Sequence, residues 1–167
     1  TGSSGTISFA AKVDFTTGTT PDDIGIEDID GDGFPDLVVP NRLSNTVSLF
    51  KNIGTSGGIT ANSFVAKVDF TTGTDPAFVS TGDIDGDAKP DVLVANYNSG
   101  SGTTFSVLRN TATAGTIDAN TLAAKVDFTT DTGPFNLAVG DIDEDGKFDV
   151  VTTNNPSSTI SVFRNTS

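Results

Sequence analysis

Short runs in which apolar and polar residues alternate, separated by Gly, Asn, Asp or Pro, recur along the chain. In the middle of the chain they are residues 78–82, 91–95, 104–109 and 122–128. Val, Ile, Phe and Thr dominate these runs, and in a typical case the polar Ser48 lies between Val47 and Leu49. A period of two with these residue types is typical of strands rather than helices. The pattern predicts an all-β protein.

The same order of runs occurs three times. The heptapeptide Ala-Lys-Val-Asp-Phe-Thr-Thr begins at Ala11, Ala66 and Ala124, so the copies are 55 and 58 residues apart. An acidic loop and two further strand-like runs follow each copy. Four antiparallel strands in a unit of about 40–60 residues are the signature of a β-propeller blade. The sequence predicts a single propeller domain or half-domain over residues 1–167, with three blade units at approximately 16–70, 71–128 and 129–167.

The blade units are out of phase with the chain ends. The run 7–15 matches the fourth strand of a blade, whereas the last unit ends after its third strand. We therefore expect residues 1–15 to supply the outer strand of the last blade of a ring. Propellers have four to eight blades, so three are too few, and two-fold dimers are the commonest oligomers. A homodimer with a six-bladed ring is the favoured prediction; a larger ring, a closed monomer and a fragment of a longer propeller are the alternatives.

The heptapeptide also carries a repeated charge pair. Lys12 and Asp14 lie on one face of the predicted strand, because side chains alternate along a strand. We expect this pair and its two copies to form ion pairs across strands.

Each unit contains a loop with carboxylates at positions 1, 3, 5 and 9. They are Asp28, Asp30, Asp32 and Asp36; Asp83, Asp85, Asp87 and Asp91; and Asp141, Asp143, Asp145 and Asp149. Carboxylates this close repel one another unless a hard cation lies between them, and Ca²⁺ takes 6–8 oxygen ligands in a flexible geometry. The backbone carbonyls at position 7, from Phe34, Lys89 and Lys147, would add a further ligand. The sequence predicts three Ca²⁺ ions per chain.

The acidic loops have two other interpretations. An EF-hand loop needs Glu at position 12 and a helix on each side. Position 12 is Val39, Val94 or Thr152 here, and the residues that flank the loops have the pattern of strands. Solvated acidic turns are common, yet three copies in one register disfavour that interpretation. Gly at position 6 permits a sharp turn, and Ala88 departs from this rule, so we expect the middle site to be the weakest.

These residues carry a family resemblance. Segments 28–41, 83–96 and 141–154, with the Thr-Val-Ser-Leu-Phe-type strands, resemble the FG-GAP/VCBS repeats that also form calcium-loop propeller blades in integrin α-subunits. The resemblance covers essentially the whole chain. It implies calcium on the loop between the first and second strands of each blade, with the twelve aspartates named above as ligands. It does not imply one function, since such repeats serve adhesion, sugar binding and scaffolding.

The loops that differ between the near-identical units are candidates for a ligand site. Arg42, Tyr97 and Asn155 follow the second strand of their units, and Phe135 precedes a first strand. In a blade both kinds of loop lie on the face opposite the calcium loops. These four residues could contact a sugar or a peptide there, or they could reflect ordinary loop variation.

Composition narrows the chemistry. The chain has no His, Cys, Trp or Met, which excludes Ser-His-Asp and Cys-His catalysis within it and removes the usual ligands of zinc and haem. A net charge of -13 without a basic cluster disfavours nucleic acid, and no apolar stretch is long enough to insert in a membrane. We expect a non-catalytic, calcium-stabilised binding module, extracellular or on a bacterial cell surface, that recognises a glycan or a cell-surface protein. The alternative is a structural or self-assembling scaffold without a ligand of its own.

Overall fold

The computed structural model describes residues 5–54 and 57–167. Part of the predicted outer strand 1–15, namely residues 1–4, and residues 55–56 of the first unit lie outside the described residues. The described part contains eleven strands in three antiparallel sheets. Helical structure within it is limited to two short 3₁₀ turns, Arg42–Ser44 and Asn98–Gly100. No helix of the described residues is long and apolar enough to cross a membrane.

In each sheet, neighbouring strands are consecutive in the chain. The first blade comprises β1 (Gly25–Glu27), β2 (Asp36–Asn41), β3 (Thr46–Phe50) and β4 (Val68–Thr71). The second comprises β5 (Pro76–Gly82), β6 (Asp91–Asn96), β7 (Thr104–Leu108) and β8 (Val126–Thr129). The third comprises β9 (Pro134–Gly140), β10 (Asp149–Asn154) and β11 (Thr159–Phe163). The prediction of an all-β chain with blade-like antiparallel sheets is confirmed, and the strands that sequence patterning predicted are present except for the run 7–15.

The sheets pack face to face through two apolar clusters. Strand β6 lies in the middle and is buried along its whole length. Val92 and Val94 belong to the cluster shared with the first blade, whereas Leu93 and Ala95 belong to the one shared with the third. This alternation follows from the two-residue period of a strand. The second blade is therefore enclosed on both faces, and each terminal blade has one outer face that no sheet of residues 5–54 and 57–167 covers.

In the first two blades a buried asparagine at the end of the second strand fastens the blade to the preceding linker. The Asn96 side chain donates to Ser106 and accepts a 3.0 Å hydrogen bond from the Gly73 amide, and Asn41 with Gly18 repeats this arrangement. In the third blade Asn154 Oδ1 is buried and has no partner among the described residues. The cause is Asp131, which occupies the position of Gly18 and Gly73; a Cβ at Gly73 would lie 2.3 Å from Asn96 Cγ.

The N-terminal segment differs from its predicted form. Residues 5–17 form no strand, although the Phe15 ring packs edge-on against Phe64 with centroids 5.1 Å apart. The predicted ion pairs do form, but each joins residues i and i+2 of one segment, as in Lys12–Asp14, so the expectation of cross-strand pairs is wrong. The partner across the strands is a serine, as in the 2.6 Å hydrogen bond from Ser48 to Asp69.

Candidate metal centres

The three acidic loops connect the first and second strands of their blades, at the same end of each sheet. Position 9 of each loop, occupied by Asp36, Asp91 or Asp149, is the first residue of the second strand and is at most 1% exposed. The flanking strands leave no place for the helices of an EF-hand, so that alternative is excluded for the described loops.

The carboxylate at position 1 organises the turn. Asp28 accepts hydrogen bonds from the backbone amides of Asp32 (3.1 Å) and Gly33 (2.9 Å). Asp83 and Asp141 accept from the equivalent amides at 2.9 to 3.1 Å. The backbone therefore wraps around this side chain, and the position-3 carboxylate lies close to it in each loop.

The carboxylate at position 9 ties the loop to the rest of the blade. Asp36 accepts a 3.1 Å hydrogen bond from the Ile29 amide and a 2.8 Å bond from the Asn52 amide, which follows the third strand. Asp91 and Asp149 are held in the same way by the amides of their own units. The strand core therefore fixes this oxygen donor before any ion arrives.

The structure brings three carboxylates of each loop within ligating distance of one another. In each group the oxygen atoms lie within 4.8 Å of one another. The groups are Asp28, Asp30 and Asp32; Asp83, Asp85 and Asp91; and Asp141, Asp143 and Asp149. Positions 1 and 3 thus contribute in all three loops, joined by position 5 in the first loop and by position 9 in the other two. The remaining aspartates and the position-7 carbonyls of Phe34, Lys89 and Lys147 stay predictions as ligands.

Two positions of each loop adopt a left-handed backbone. Position 6 has φ of +89° at Gly33, +65° at Ala88 and +88° at Gly146, so Ala88 adopts the strained conformation that its place in the loop implied. Position 4 also has positive φ, and there the third loop carries Glu144 at +61° where the others have Gly. Sequence reasoning did not identify this second strained residue.

A cation at the end of the third strand contacts each loop, which sequence reasoning also missed. Lys51 Nζ pairs with Asp30 and lies 2.5 Å from Asp32. Arg109 lies 3.5 Å from Asp85, and Arg164 pairs with Asp143 and Asp145. The available signal was a Lys or Arg directly before the Asn that ends each unit's third strand-like run.

Burial and hydrogen bonding shift the pKa values of the loop carboxylates in opposite directions. Burial raises the pKa of Asp36 to about 6, against hydrogen bonds from backbone amides that lower it. Burial also raises the pKa of Asp91, whereas hydrogen bonding with Lys51 lowers the pKa of Asp32. Desolvation thus disfavours the anionic form of the position-9 carboxylate in the first two blades.

This donor set fits a hard cation. All side-chain donors are carboxylate oxygens, which suit Ca²⁺ and Mg²⁺, and the loops contain no nitrogen or sulfur ligand. A divalent ion would stabilise the desolvated anions that the protein alone disfavours.

The loops at the opposite end of the blades bring the four predicted ligand-contact residues near one another. The Tyr97 and Phe135 rings meet edge-on with centroids 5.1 Å apart, and Arg42 lies over the Tyr97 ring at 5.7 Å. The Asn155 amide donates to the carbonyl of Gly133, two residues before Phe135. The prediction that these loops share one face is consistent with these contacts.

Arg42, however, already has a structural partner. Its guanidinium forms a two-pronged contact with Asp75 in the linker between the first and second blades. Burial acts to raise the pKa of Asp75, but the hydrogen bonds from Arg42 and Ser99 outweigh it and leave the pKa below its usual value. Arg42 therefore clamps the first two blades together, whereas Tyr97 and Phe135 meet across the second and third blades and form the aromatic part of this face.

Comparison with known families adds to this geometry. A model of an FG-GAP-like repeat matches residues 28–94, and a model of an FG-GAP repeat matches residues 76–116. The matches include the first two acidic loops and the strands that follow them. No curated protein matches the chain significantly.

Proposed function

The chain belongs to the FG-GAP/VCBS-type repeat family, and from this we propose that it is a calcium-stabilised, non-catalytic binding module of the extracellular space or a bacterial cell surface. FG-GAP repeats are consistent with adhesion-type binding modules outside the cell. The three loops supply the calcium sites, and the loops at the other end of the blades supply the recognition surface.

The observation that carries the calcium proposal is the repetition of one loop geometry. In all three loops the position-1 carboxylate accepts the same backbone amides, the position-9 carboxylate is buried and fixed, and three carboxylates converge within 4.8 Å. Thirteen of the 22 acidic residues, namely the twelve aspartates and Glu144, belong to these loops, and three Ca²⁺ ions would reduce the net charge from -13 to -7. Binding therefore relieves repulsion that folding concentrates in one place.

Isothermal titration calorimetry of chelator-treated protein tests the proposal. We expect three Ca²⁺ per chain with dissociation constants of about 10⁻⁴–10⁻³ M or tighter. The melting temperature should rise with free Ca²⁺, because the ion binds the folded state. Asp141→Asn should remove one site, whereas Asp118→Asn, an exposed acid outside the loops, should leave all three. A melting temperature and a titration that do not respond to Ca²⁺ would overturn the calcium assignment.

The aromatic pair on the opposite face supports the proposed recognition of a glycan or a cell-surface protein. Phe135 is 43% exposed, and the edge-on contact with Tyr97 holds both rings in place. Rings fixed in this way present an apolar surface for stacking with little loss of side-chain entropy.

A glycan array probed with the labelled chain, followed by Tyr97→Ala, tests this surface. We expect binding of a sugar class that Tyr97→Ala abolishes, while Leu43→Ala, an exposed apolar residue of a neighbouring loop, leaves it unchanged. If neither glycans nor cells bind the chain, the alternative of a scaffold without a ligand of its own replaces the binding proposal.

A further inference from the structure

The third blade lacks the outer strand that the other two blades have. Strand β4 pairs with β3 and β8 pairs with β7, but no strand of the described residues pairs with the outer edge of β11. In the complete blades a serine of the third strand donates to an aspartate of the fourth, Ser48 to Asp69 and Ser106 to Asp127, both at 2.6 Å. The equivalent Ser161 accepts a hydrogen bond from Asn154, as in the other blades, but has no outer-strand aspartate to meet.

The chain also contains one copy of the fourth-strand sequence that is not used as a strand. Residues 11–17 repeat the heptapeptide of β4 and β8, and Asp14 pairs with Lys12 as Asp69 does with Lys67. The segment cannot serve its own third blade, because the Gly18–Asn41 hydrogen bond anchors it beside the first blade and the second blade lies between. A segment with the fourth-strand sequence and the unpaired edge of β11 thus lie at opposite ends of one molecule.

The exposed Phe9 side chain and an apolar groove between the second and third blades also match each other. Leu122, two residues before the second blade's heptapeptide, fills the junction between the first two blades and is 5% exposed. Its equivalent before the free heptapeptide is Phe9, which is 94% exposed. The junction between the second and third blades instead contains a groove of about 350 Å³ lined by Phe105, Phe128 and Phe163. Phe9 of a neighbouring molecule would occupy the place there that Leu122 occupies in the first junction.

We propose that the N-terminal segment of one copy of this chain forms the fourth strand of the third blade of a second copy, and that two copies exchanging strands in this way close a six-bladed ring. The occupant of the free edge is thus another molecule of the same chain. Two is the smallest number of copies that brings the blade count into the range of four to eight, and a two-fold pair covers the outer edge of β11 in both copies.

The complete blades define the expected register. In them the serine lies opposite the heptapeptide aspartate, and the flanking residues pair in antiparallel order. The same register places Asp14 opposite Ser161, Phe15 opposite Ile160 and Val13 opposite Val162. Ile160 and Val162 are 65% and 57% exposed in the single chain, whereas Phe105, the second-blade equivalent of Ile160, is 2% exposed. Closing the ring would bury the outer face of the third blade against the first blade of the partner.

Light scattering of the intact chain and two variants tests the exchange. We expect a mass about twice the 17.1 kDa of one chain. Phe9→Asp should yield a monomer with an unchanged circular dichroism spectrum, since Phe9 contributes little to the fold of its own chain. Leu43→Asp is the matched control: Leu43 is also exposed, and its equivalent Asn98 stays exposed in the enclosed second blade, so this variant should remain dimeric.

Cross-linking tests the register directly, because the chain has no cysteine of its own. The double variant Asp14→Cys, Ser161→Cys should form a covalent dimer on oxidation. The pair Asp14→Cys, Val162→Cys should not, because neighbouring strand residues point to opposite faces. A folded 17.1 kDa monomer, a Phe9→Asp variant that stays dimeric, or equal cross-linking by both cysteine pairs would each overturn the proposal.

Discussion

Replacing Ala88 with glycine should stabilise the calcium-loaded protein. Ala88 has φ of +65° at position 6 of the second loop, where the other two loops carry glycine. A left-handed conformation costs a residue with a Cβ about 1–2 kcal/mol. Glycine removes that cost but gives the unfolded chain more freedom, which offsets about 0.4–1 kcal/mol. The net gain is about 1 kcal/mol in the free energy of unfolding, or about 2–4 °C in melting temperature for a chain of this size.

The assay is thermal and urea unfolding in saturating Ca²⁺, since the loop then adopts its bound conformation and the strain is expressed in full. The reciprocal variant Gly33→Ala is the matched control. A Cβ at Gly33, with φ of +89°, would meet no atom within 4 Å, so its expected loss of stability is conformational and not steric. If Ala88→Gly were no more stable than the unsubstituted chain while Gly33→Ala was destabilised, the strain argument for the second loop would be refuted.

Three further outcomes are expected. Gly73→Ala should destabilise the fold by about 2–3 kcal/mol, because its Cβ would lie 2.3 Å from Asn96 Cγ and break the hydrogen bond from the Gly73 amide to Asn96. Urea unfolding measures this loss. Gly58→Ala is the neutral control, since a Cβ at Gly58 meets no atom within 4 Å. In EDTA the free energy of unfolding should fall as pH rises from about 4 to about 6, because folded Asp36, with its pKa of about 6, holds a proton that the unfolded chain releases at lower pH. Added Ca²⁺ should flatten this dependence of stability on pH. A free energy of unfolding that rises over this pH range would contradict the prediction. Arg42→Ala should cost about 2 kcal/mol in denaturant unfolding by leaving the buried Asp75 without its cation, and Arg42→Lys should restore only part of it because Lys lacks the planar fork.

Much of the fold could be predicted from the sequence because the information is local and stated three times. A two-residue hydrophobic period, the turn residues that separate the runs and one repeated heptapeptide each depend only on neighbouring residues. The same holds for the metal loops: the Asp spacing defines the turn, and position 6 needs glycine because the backbone there is left-handed. The prediction of strain at Ala88 is confirmed for this reason.

Only the tertiary structure decided which groups meet across blades. The clamp between Arg42 and Asp75 joins residues that are 33 positions apart in the chain. The Asn154 oxygen loses its partner because Asp131 replaces the glycine of the other two linkers. Repetition cannot reveal either feature, since each depends on a position where one unit departs from the others. The N-terminal segment shows the converse. It has the sequence of a fourth strand, yet residues 5–17 form no strand, because the third strand that lacks such a partner, β11, lies beyond the second blade.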